Sequence, residues 1–140
     1  MLTYDMGGTS TDVALIRGGN PPVSNEIEIE YAMPIHVPMV DVRTVGAGGG
    51  SIASVNAAGL LEVGPESAGA EPGPICYGRG GKRPTISDAN LLLGRLNPER
   101  LNSVEGGISR AAVEDIFRRD LGEPLGVDGI EAAEAVIRVA

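Results

Sequence analysis

The sequence is poor in aromatic residues, cysteine, histidine and basic residues. Its 140 residues include no tryptophan, one phenylalanine, three tyrosines, one cysteine and one histidine. A single cysteine excludes an internal disulfide and favours an intracellular protein. Eleven lysines and arginines against 19 acidic residues give a net charge of -8. This balance argues against a nucleic acid partner, because nucleic acid binding requires cations to neutralise phosphates.

Long apolar runs are also missing. No stretch approaches the roughly 20 apolar residues of a membrane-spanning helix, and the N-terminus has neither the basic start nor the apolar core of a signal peptide. We therefore expect a cytoplasmic protein that does not bind membranes. Glycine (21 residues) and proline (10 residues) are abundant, and 42% of the residues are hydrophobic. At this length the composition predicts one domain with a core of Val, Ile, Leu and Ala.

The most informative motif is DMGGTSTDV, from Asp5 to Val13. Residues 2–5 and 13–16 on its two sides predict strands joined by a turn. Glycines let backbone N–H groups turn inward around an anion, and neighbouring hydroxyl groups add donors. Asp5 and Asp12 would repel a phosphate but can hold Mg²⁺. The motif predicts a phosphate clamp with a metal ion at its edge, and the alternative is an ordinary Gly-Gly hairpin with a polar tip.

The next segment is predicted to consist of strands and turns. Gly18 to Pro22 has turn chemistry. The predicted strands are residues 26–31, 38–45, 51–55 and 60–63. The first of them would form a three-stranded antiparallel sheet with the two clamp strands, joined by hairpins. His36 lies between two prolines and is assigned no role.

A glycine-rich loop, Gly46 to Ser51, separates two of these strands. It resembles a dinucleotide-binding fingerprint only loosely, because no long helix clearly follows; a short helix from Ser51 is the alternative to the predicted hairpin. The residues alone leave two interpretations open. The loop either permits close packing of two strands or lines an active site.

Residues 64–84 form a long irregular stretch, of the kind that is usually functional or disordered. Ile75, Cys76 and Tyr77 within it predict that it packs against the core. Cys76 is interpreted as a small buried residue, since a reactive thiol needs a neighbour that lowers its pKa. The only positive cluster in this stretch would approach the clamp if the stretch folds back, and a solvated basic loop is the alternative. Its members are Arg79, Lys82 and Arg83.

The last part of the chain predicts three helices. The first runs from Ala89 to about Leu96, with Ser87 or Asp88 as its cap. Asp88 could instead direct its carboxylate at a metal ion or a ribose. Core positions are predicted at Leu91, Leu92 and Leu93.

The two remaining helices follow a polar connection, residues 97–108. Ser109 is predicted to cap a helix that reaches Leu121 and is stopped by Gly122 and Pro124. A capping box of Asp128 and Glu131 then predicts the start of the last helix.

Three stretches resemble one family in the same order along the chain. They are the clamp motif, Arg43 to Ala53, and Ser67 to Leu91. Together they are similar to the hydantoinase A / 5-oxoprolinase family of the actin-like ATPase superfamily. The resemblance implies an α/β (α+β mixed sheet) fold, part of an actin-like, ribonuclease H-like ATPase lobe with strand hairpins first and helices last. We expect one domain over residues 1–140, with a strand region (1–63), a Gly/Pro loop (64–84) and a helical region (85–140).

The resemblance also implies an ATP- and Mg²⁺-dependent hydrolase that opens a cyclic amide such as a hydantoin or 5-oxoproline. Asp5 would hold Mg²⁺ or orient the attacking group, with Asp12 supporting it, and both are the candidate catalytic residues. Asp88 is the second candidate metal ligand. The implied cofactor-binding residues are Gly7, Gly8, Thr9, Ser10 and Thr11 in the clamp and Gly48, Gly49, Gly50 and Ser51 in the opposite wall.

Family members are several times longer and bind ATP between two lobes, of which this chain resembles the second. We therefore expect a fragment that is inactive alone. Its expected partners are the missing first lobe, a hydantoinase B-like subunit and a small cyclic amide, and exposed apolar surface would favour self-association. Two alternatives remain: the ATP-binding subunit of an acetone- or acetophenone-type carboxylase, and a non-catalytic assembly domain. Arg43 stands where the oxoprolinase branch tends to have His, which disfavours a strict oxoprolinase.

Overall fold

The computed structural model of the protein describes residues 1–24, 27–29, 33–35, 38–97 and 108–140. Within these ranges, side chains are described for all residues except those from 24 to 37. The strands are β1 (Leu2–Met6), β2 (Thr11–Leu15), β3 (Val23–Ser24), β4 (Ile27–Ile29), β5 (Met33–Ile35), β6 (Met39–Val40), β7 (Arg43–Val45), β8 (Ser51–Val55) and β9 (Leu61–Ser67). The helices are a 3₁₀ turn (Ile75–Tyr77), α1 (Ile86–Leu92), α2 (Arg110–Phe117), a π-helical segment (Arg118–Gly122), α3 (Glu123–Leu125) and α4 (Gly129–Val139). The mixed α/β class predicted from the sequence, with hairpins first and helices last, is confirmed.

The clamp motif forms the predicted hairpin. Strands β1 and β2 pair antiparallel, with Asp5 directly opposite Asp12. Strand β7 adds to the free edge of β2. Because paired residues share a face of a sheet, the two carboxylates lie on one face and Tyr4 on the other.

The prediction that the strand over residues 26–31 joins this hairpin was wrong. Strand β4 pairs with β5 and β3 pairs with β6, so these four strands pair with one another rather than extend the clamp sheet. The strand predicted over residues 38–45 is divided into β6 and β7, and the N–H of Asp41 between them donates to the Pro22 carbonyl at 2.9 Å. His36 and the ends of the strand predicted over 26–31 lie outside the described residues.

The second hairpin, β8 and β9, is confirmed, and the alternative helix from Ser51 is wrong. The Asn56 side-chain oxygen accepts from the N–H groups of Ala58 and Leu60, both at 3.0 Å, which closes the turn. Strand β9 continues to Ser67. The irregular stretch therefore begins at residue 68 rather than at 64, because Gly64 and Pro65 are accommodated within the paired strand.

The core lies between the helices and the β8–β9 hairpin. Leu92, Val113, Phe117 and Val136 are fully buried and come from α1, α2 and α4. Ile75 of the 3₁₀ turn is also fully buried, so the irregular stretch packs down as predicted. Leu91 is buried as expected, while Leu93 is partly exposed and packs against the edge of this cluster.

Two predicted helix boundaries were wrong. Helix α1 begins at Ile86 and ends at Leu92, and its cap is Thr85 rather than Ser87 or Asp88. Helix α2 does not stop at Gly122 or Pro124. It continues through the π-helical segment into α3 and ends at Gly126, which has φ +72°. Pro124 lies in the first turn of α3, where its fixed φ is compatible with a helical backbone.

The caps of the last two long helices match the prediction. Ser109 accepts from the N–H of Ala112 at 3.3 Å, and Asp128 and Glu131 form the capping box of α4. Most of the polar connection predicted over 97–108 lies outside the described residues. Within the described ranges, every helix is too short or too polar to cross a lipid bilayer.

Candidate functional site

The turn of the clamp hairpin is held against the glycine-rich loop by backbone hydrogen bonds. The N–H of Gly49 donates to the Gly7 carbonyl at 2.9 Å, and the N–H of Gly50 donates to the Gly8 carbonyl at 2.6 Å. Within the turn, Gly7 donates to the Ser10 carbonyl at 2.8 Å. In the described part of the chain, the N–H groups of Gly8 and Thr9 have no protein acceptor. These two amides are therefore available to an anion.

Three successive glycines allow this contact. A Cβ at Gly48 would lie 2.6 Å from the Thr9 carbonyl carbon. A Cβ at Gly49 would lie 2.7 Å from the Ser87 hydroxyl, and one at Gly50 would lie 2.8 Å from the Gly8 carbonyl oxygen. All three distances are too short for a side chain. These glycines therefore permit the loop to approach the clamp turn and the start of α1 closely.

A third loop, residues 68–81, joins the same cluster. The N–H of Ala68 donates to the Gly50 carbonyl at 2.8 Å. The loop also folds back on itself, since a Cβ at Gly81 would lie 2.8 Å from the Pro74 carbonyl oxygen. The backbone of this loop is thus tied both to the glycine-rich loop and to itself.

Asp88 anchors the third loop from beneath. Its carboxylate is fully buried and accepts from the N–H groups of Cys76 at 2.7 Å and Ile75 at 3.2 Å. It also accepts from the Thr85 N–H at 3.0 Å and the Thr85 hydroxyl at 2.7 Å. Burial raises the pKa of the Asp88 carboxyl, while the hydrogen bonds from Thr85, Cys76 and Ile75 act to lower it. The neighbouring residue, Ser87, donates its N–H to the Gly49 carbonyl at 2.7 Å, so the start of α1 supports two of the three loops.

The three loops enclose a cavity of about 300 Å³. Its described lining consists of Gly8, Thr9, Gly50, Gly69, Ala70, Pro74, Tyr77 and Arg79. Sequence reasoning placed Gly8, Thr9 and Gly50 at a site and assigned no role to Gly69, Ala70, Pro74 or Tyr77. The signal for these four was the density of glycine and proline in a long loop that also carries apolar residues.

The predicted positive cluster is divided between two places. Arg79 lines the three-loop cavity, whereas Lys82 and Arg83 line a second cavity of about 350 Å³. Arg83 forms an ion pair with Glu66 at 2.6 Å.

Two residues predicted to bind the cofactor, Thr11 through its hydroxyl and Ser51 as part of the opposite wall, use their hydroxyls within the fold. Thr11 is buried, and its hydroxyl donates to the Ala47 carbonyl. Ser51 is also buried, and its hydroxyl oxygen accepts from the Gly48 N–H at 3.0 Å. Neither residue is among the described lining of the cavity discussed above. Both hydroxyls hold the glycine-rich loop in place.

The predicted acidic residues lie in different environments. Asp5 is exposed, and Asp12 accepts a hydrogen bond from the Thr44 hydroxyl at 2.7 Å across the sheet. Asp88 is fully buried, and its oxygens already accept hydrogen bonds from Ile75, Cys76 and Thr85. This corrects its expected role as a metal ligand, since its geometry is that of a structural anchor. Among the described residues no three His, Cys, Asp or Glu side chains gather around one point.

Cys76 is buried, as predicted from its surroundings in the sequence. Burial raises the pKa of its thiol far above the usual range, and the Asp88 carboxylate adds to the rise. A thiol in this state is a poor nucleophile. The structure therefore gives Cys76 a packing role.

The clamp hairpin and the three-loop cavity define a mixed α/β lobe with a glycine-lined cavity, and comparison with known proteins identifies its family. The family model described as hydantoinase/oxoprolinase matches residues 1–140. The chain belongs to this family.

Two relatives and two solved structures show how close the similarity is. Caprolactamase subunit alpha of Pseudomonas jessenii is 47% identical over 98% of this chain and 20% of that protein. The crystal structure of the ATP-dependent caprolactamase from that organism has a TM-score of 0.77. The acetophenone carboxylase gamma subunit of Aromatoleum aromaticum is 42% identical over 99% of this chain and 19% of its own length. A nucleotide-free acetone carboxylase structure is 32% identical with a TM-score of 0.81, and the match covers 99% of this chain and 19% of that one. The chain thus spans about a fifth of these relatives.

Proposed function

We propose that this chain is the lobe that supplies the phosphate-binding hairpin of an ATP-dependent cyclic-amide hydrolase of the hydantoinase/oxoprolinase type. The observation that carries the proposal is the three-loop cavity, where the N–H groups of Gly8 and Thr9 have no acceptor in the described part of the chain. The printed names of the relatives include an ATP-dependent caprolactamase. A lactam is a cyclic amide, so the family and the cavity point to the same chemistry.

The residues of the turn divide the work of binding phosphate. Gly8 and Thr9 would donate backbone N–H groups, and Thr9 and Ser10 would add hydroxyl donors. Gly7 would hold the turn in shape through its contact with Gly49. When bound, ATP supplies the phosphoryl group that makes an amide carbonyl susceptible to water. Positioning and charge neutralisation are the main tasks of a protein in such a transfer.

The acidic pair fits a divalent cation at the edge of this site. Asp5 and Asp12 are directly opposite each other on neighbouring strands, and like charges in this arrangement repel. Mg²⁺ prefers carboxylate oxygen ligands, and would relieve the repulsion. We assign the contact to Asp5. Asp12 supports it, since Asp12 is already oriented by Thr44.

The complete enzyme requires more than this chain. The expected partners are the first ATPase lobe, a hydantoinase B-like subunit and a small cyclic amide, in the cytoplasm where ATP is supplied. Two relatives are named as subunits of larger enzymes. The clamp sheet exposes apolar side chains, with Leu2 62% and Tyr4 61% exposed, and such a surface favours self-association when nothing covers it. We expect the isolated chain to lack catalytic activity.

A second candidate is the ATP-binding subunit of an acetone- or acetophenone-type carboxylase. The match to acetophenone carboxylase and the TM-score of 0.81 to acetone carboxylase favour it. A product screen of the complete enzyme with hydantoin, 5-oxoproline, caprolactam, and a ketone with bicarbonate separates the two. Ring opening supports the hydrolase, and a carboxylated ketone supports the alternative. A third candidate, a non-catalytic assembly domain, predicts that the complete protein has no affinity for Mg-ATP.

A titration of the 140-residue chain with Mg-ATP tests the proposed role of the cavity. We expect backbone amide NMR shifts at Gly8, Thr9 and Gly50, because these residues line the cavity. Repeating the titration with the first lobe added distinguishes a half-site from an inert hairpin. Absence of shifts in both titrations would refute the phosphate-binding role.

Asp5→Ala in the complete enzyme is expected to weaken metal-dependent ATP binding by about tenfold or more, since it removes a carboxylate ligand of the cation. The melting temperature should change little, because Asp5 is exposed. Asp115→Ala is the matched control: it removes the same charge from an exposed position on α2. Calorimetric titration with ATP in the presence and absence of Mg²⁺ measures both variants. Unchanged ATP affinity together with a large fall in melting temperature would show that Asp5 has a structural role.

A further inference from the structure

We propose that the second cavity binds the ring-opened product, an aliphatic amino acid with an ammonium group at one end and a carboxylate at the other. The inference rests on the proposed function and adds a product site to it. Hydrolysis of a cyclic amide breaks the ring C–N bond, and the hydroxyl of water goes to the carbonyl carbon while its hydrogen goes to the nitrogen. Proton transfer then leaves one carboxylate and one ammonium group at neutral pH. The product therefore carries charges of both signs, joined by methylene groups.

The charged side chains of the second cavity leave one group of each sign available to such a ligand. The lining contains two carboxylates, Glu66 and Glu71, and two cations, Lys82 and Arg83. Glu66 and Arg83 pair with each other at 2.6 Å. Glu71 and Lys82 form no ion pair with each other or with any further residue that the structure describes. One ammonium and one carboxylate on the same ligand would give each of them a partner of opposite charge.

The same cavity offers apolar surface for the methylene groups. Ile52, of which 6% is exposed, belongs to its lining together with Ala68 and Pro72. Its volume of about 350 Å³ falls in the range of about 300–1,000 Å³ that is usual for small-molecule sites. Apolar surface with a few charged groups is the composition expected of a site for an aliphatic amino acid.

One loop lines both cavities and so connects the product site with the phosphate site. Gly69 and Ala70 line the three-loop cavity, whereas the residues on either side of them, Ala68 and Glu71, line the second cavity. The N–H of Gly73 donates to the Ala68 carbonyl at 3.2 Å, which holds this part of the loop in shape. A preformed site loses less entropy when a ligand binds. The two cavities share a wall, so a product formed at the phosphate site has a short path to the second cavity.

The test titrates the 140-residue chain with ε-aminocaproate, the amino acid that ring opening of caprolactam gives, and follows backbone amide NMR shifts. We expect shifts at Ala68, Gly73 and Gly80, which line the second cavity, with a dissociation constant in about the millimolar range. Caproate and hexylamine each carry only one of the two charged ends, and each should bind about fivefold more weakly. Caprolactam, which is neutral, should bind more weakly still.

Lys82→Gln and Glu71→Gln should each weaken the binding of ε-aminocaproate by about fivefold, because each removes one accessible ion pair. Lys82→Gln should also weaken caproate and leave hexylamine unchanged, and Glu71→Gln should do the reverse. Arg17→Gln and Glu134→Gln are the matched controls, since they remove the same charges from exposed positions outside the described lining of this cavity. Their affinities should stay within about twofold of wild type. Equal weakening by the controls would mean that only the overall charge matters.

Three further outcomes would overturn the inference, and they separate it from the proposed function. Equal binding of ε-aminocaproate, caproate and hexylamine would mean that the cavity does not recognise both ends of the ligand. Shifts that spare Ala68, Gly73 and Gly80, while Mg-ATP still shifts Gly8 and Thr9, would remove the product site and leave the proposed function intact. If the amino acid binds but the complete enzyme gives only a carboxylated ketone in the product screen, the cyclic-amide function fails and the ligand is not its product.

Discussion

Replacing Asp88 by alanine is expected to lower the free energy of unfolding by about 3–5 kcal/mol, as found when one partner is removed from a buried polar network. The truncation leaves the N–H groups of Ile75, Cys76 and Thr85 without their acceptor. Asp88 itself is fully buried, so water cannot readily replace the lost oxygen atoms. The third loop would detach from α1 as a consequence. Urea unfolding of the full 140-residue chain, followed by circular dichroism, measures the change.

Asp128→Ala is the control for this prediction. Asp128 also caps a helix with its carboxylate, through the N–H groups of Ile130 and Glu131, but it is exposed. Its loss should cost about 1 kcal/mol, the usual value for an N-cap. Asp88→Asn, which keeps one acceptor oxygen, should fall between Asp88→Ala and wild type. Equal losses for Asp88→Ala and Asp128→Ala would mean that Asp88 is only a helix cap and does not anchor the loop.

The elements that the sequence predicted well are those specified by neighbouring residues. The clamp hairpin follows from two apolar runs around Gly7 and Gly8, and the start of α4 follows from the capping box of Asp128 and Glu131. In each case the interacting groups are separated by only a few residues. Local pattern and local chemistry therefore contain the needed information.

The errors concern pairing between distant residues and competing local signals. Strand β7 rather than the strand near residue 28 completes the clamp sheet, and a short strand gives no indication of which edge it will join. Gly122, Pro124 and Gly126 all resemble helix stops, but only Gly126 has the left-handed φ that ends a helix. Gly122 instead allows the backbone at Val127 to pack closely against the helix, because a Cβ at position 122 would lie 2.6 Å from the Val127 carbonyl oxygen.

The candidate site shows the same limit. The clamp and the glycine-rich loop were each recognisable alone, whereas their junction with the third loop depends on contacts such as the Ala68–Gly50 hydrogen bond. The role of Asp88 was the least predictable part of the site. A carboxylate near the start of a helix is compatible with a cap, a metal ligand or an anchor, and burial together with the amides of Ile75 and Cys76 decides for the anchor.

Gly48→Ala is expected to disrupt the junction between the clamp turn and the glycine-rich loop. The new methyl group would lie 2.6 Å from the Thr9 carbonyl carbon and 2.7 Å from the Ser10 nitrogen. These are backbone atoms that cannot rotate away, so the loop must shift, at a cost of about 1–3 kcal/mol for an overpacked site. The shift would break the hydrogen bonds from Gly49 and Gly50 to the clamp turn. We therefore expect a lower urea midpoint and loss of the Mg-ATP-induced amide shifts at Gly8 and Thr9.

Gly46→Ala provides the matched control in the same loop. A Cβ at Gly46 meets no atom within 4 Å, and its φ lies outside the left-handed region. Alanine there should change the unfolding free energy by no more than about 1 kcal/mol and should leave the ATP-induced shifts intact. The urea midpoint reports on packing, and the Mg-ATP-induced amide shifts report on binding. If Gly48→Ala lowers stability but keeps the shifts at Gly8 and Thr9, the glycine-rich loop stabilises the fold without shaping the phosphate site, and its proposed role in phosphate binding is wrong.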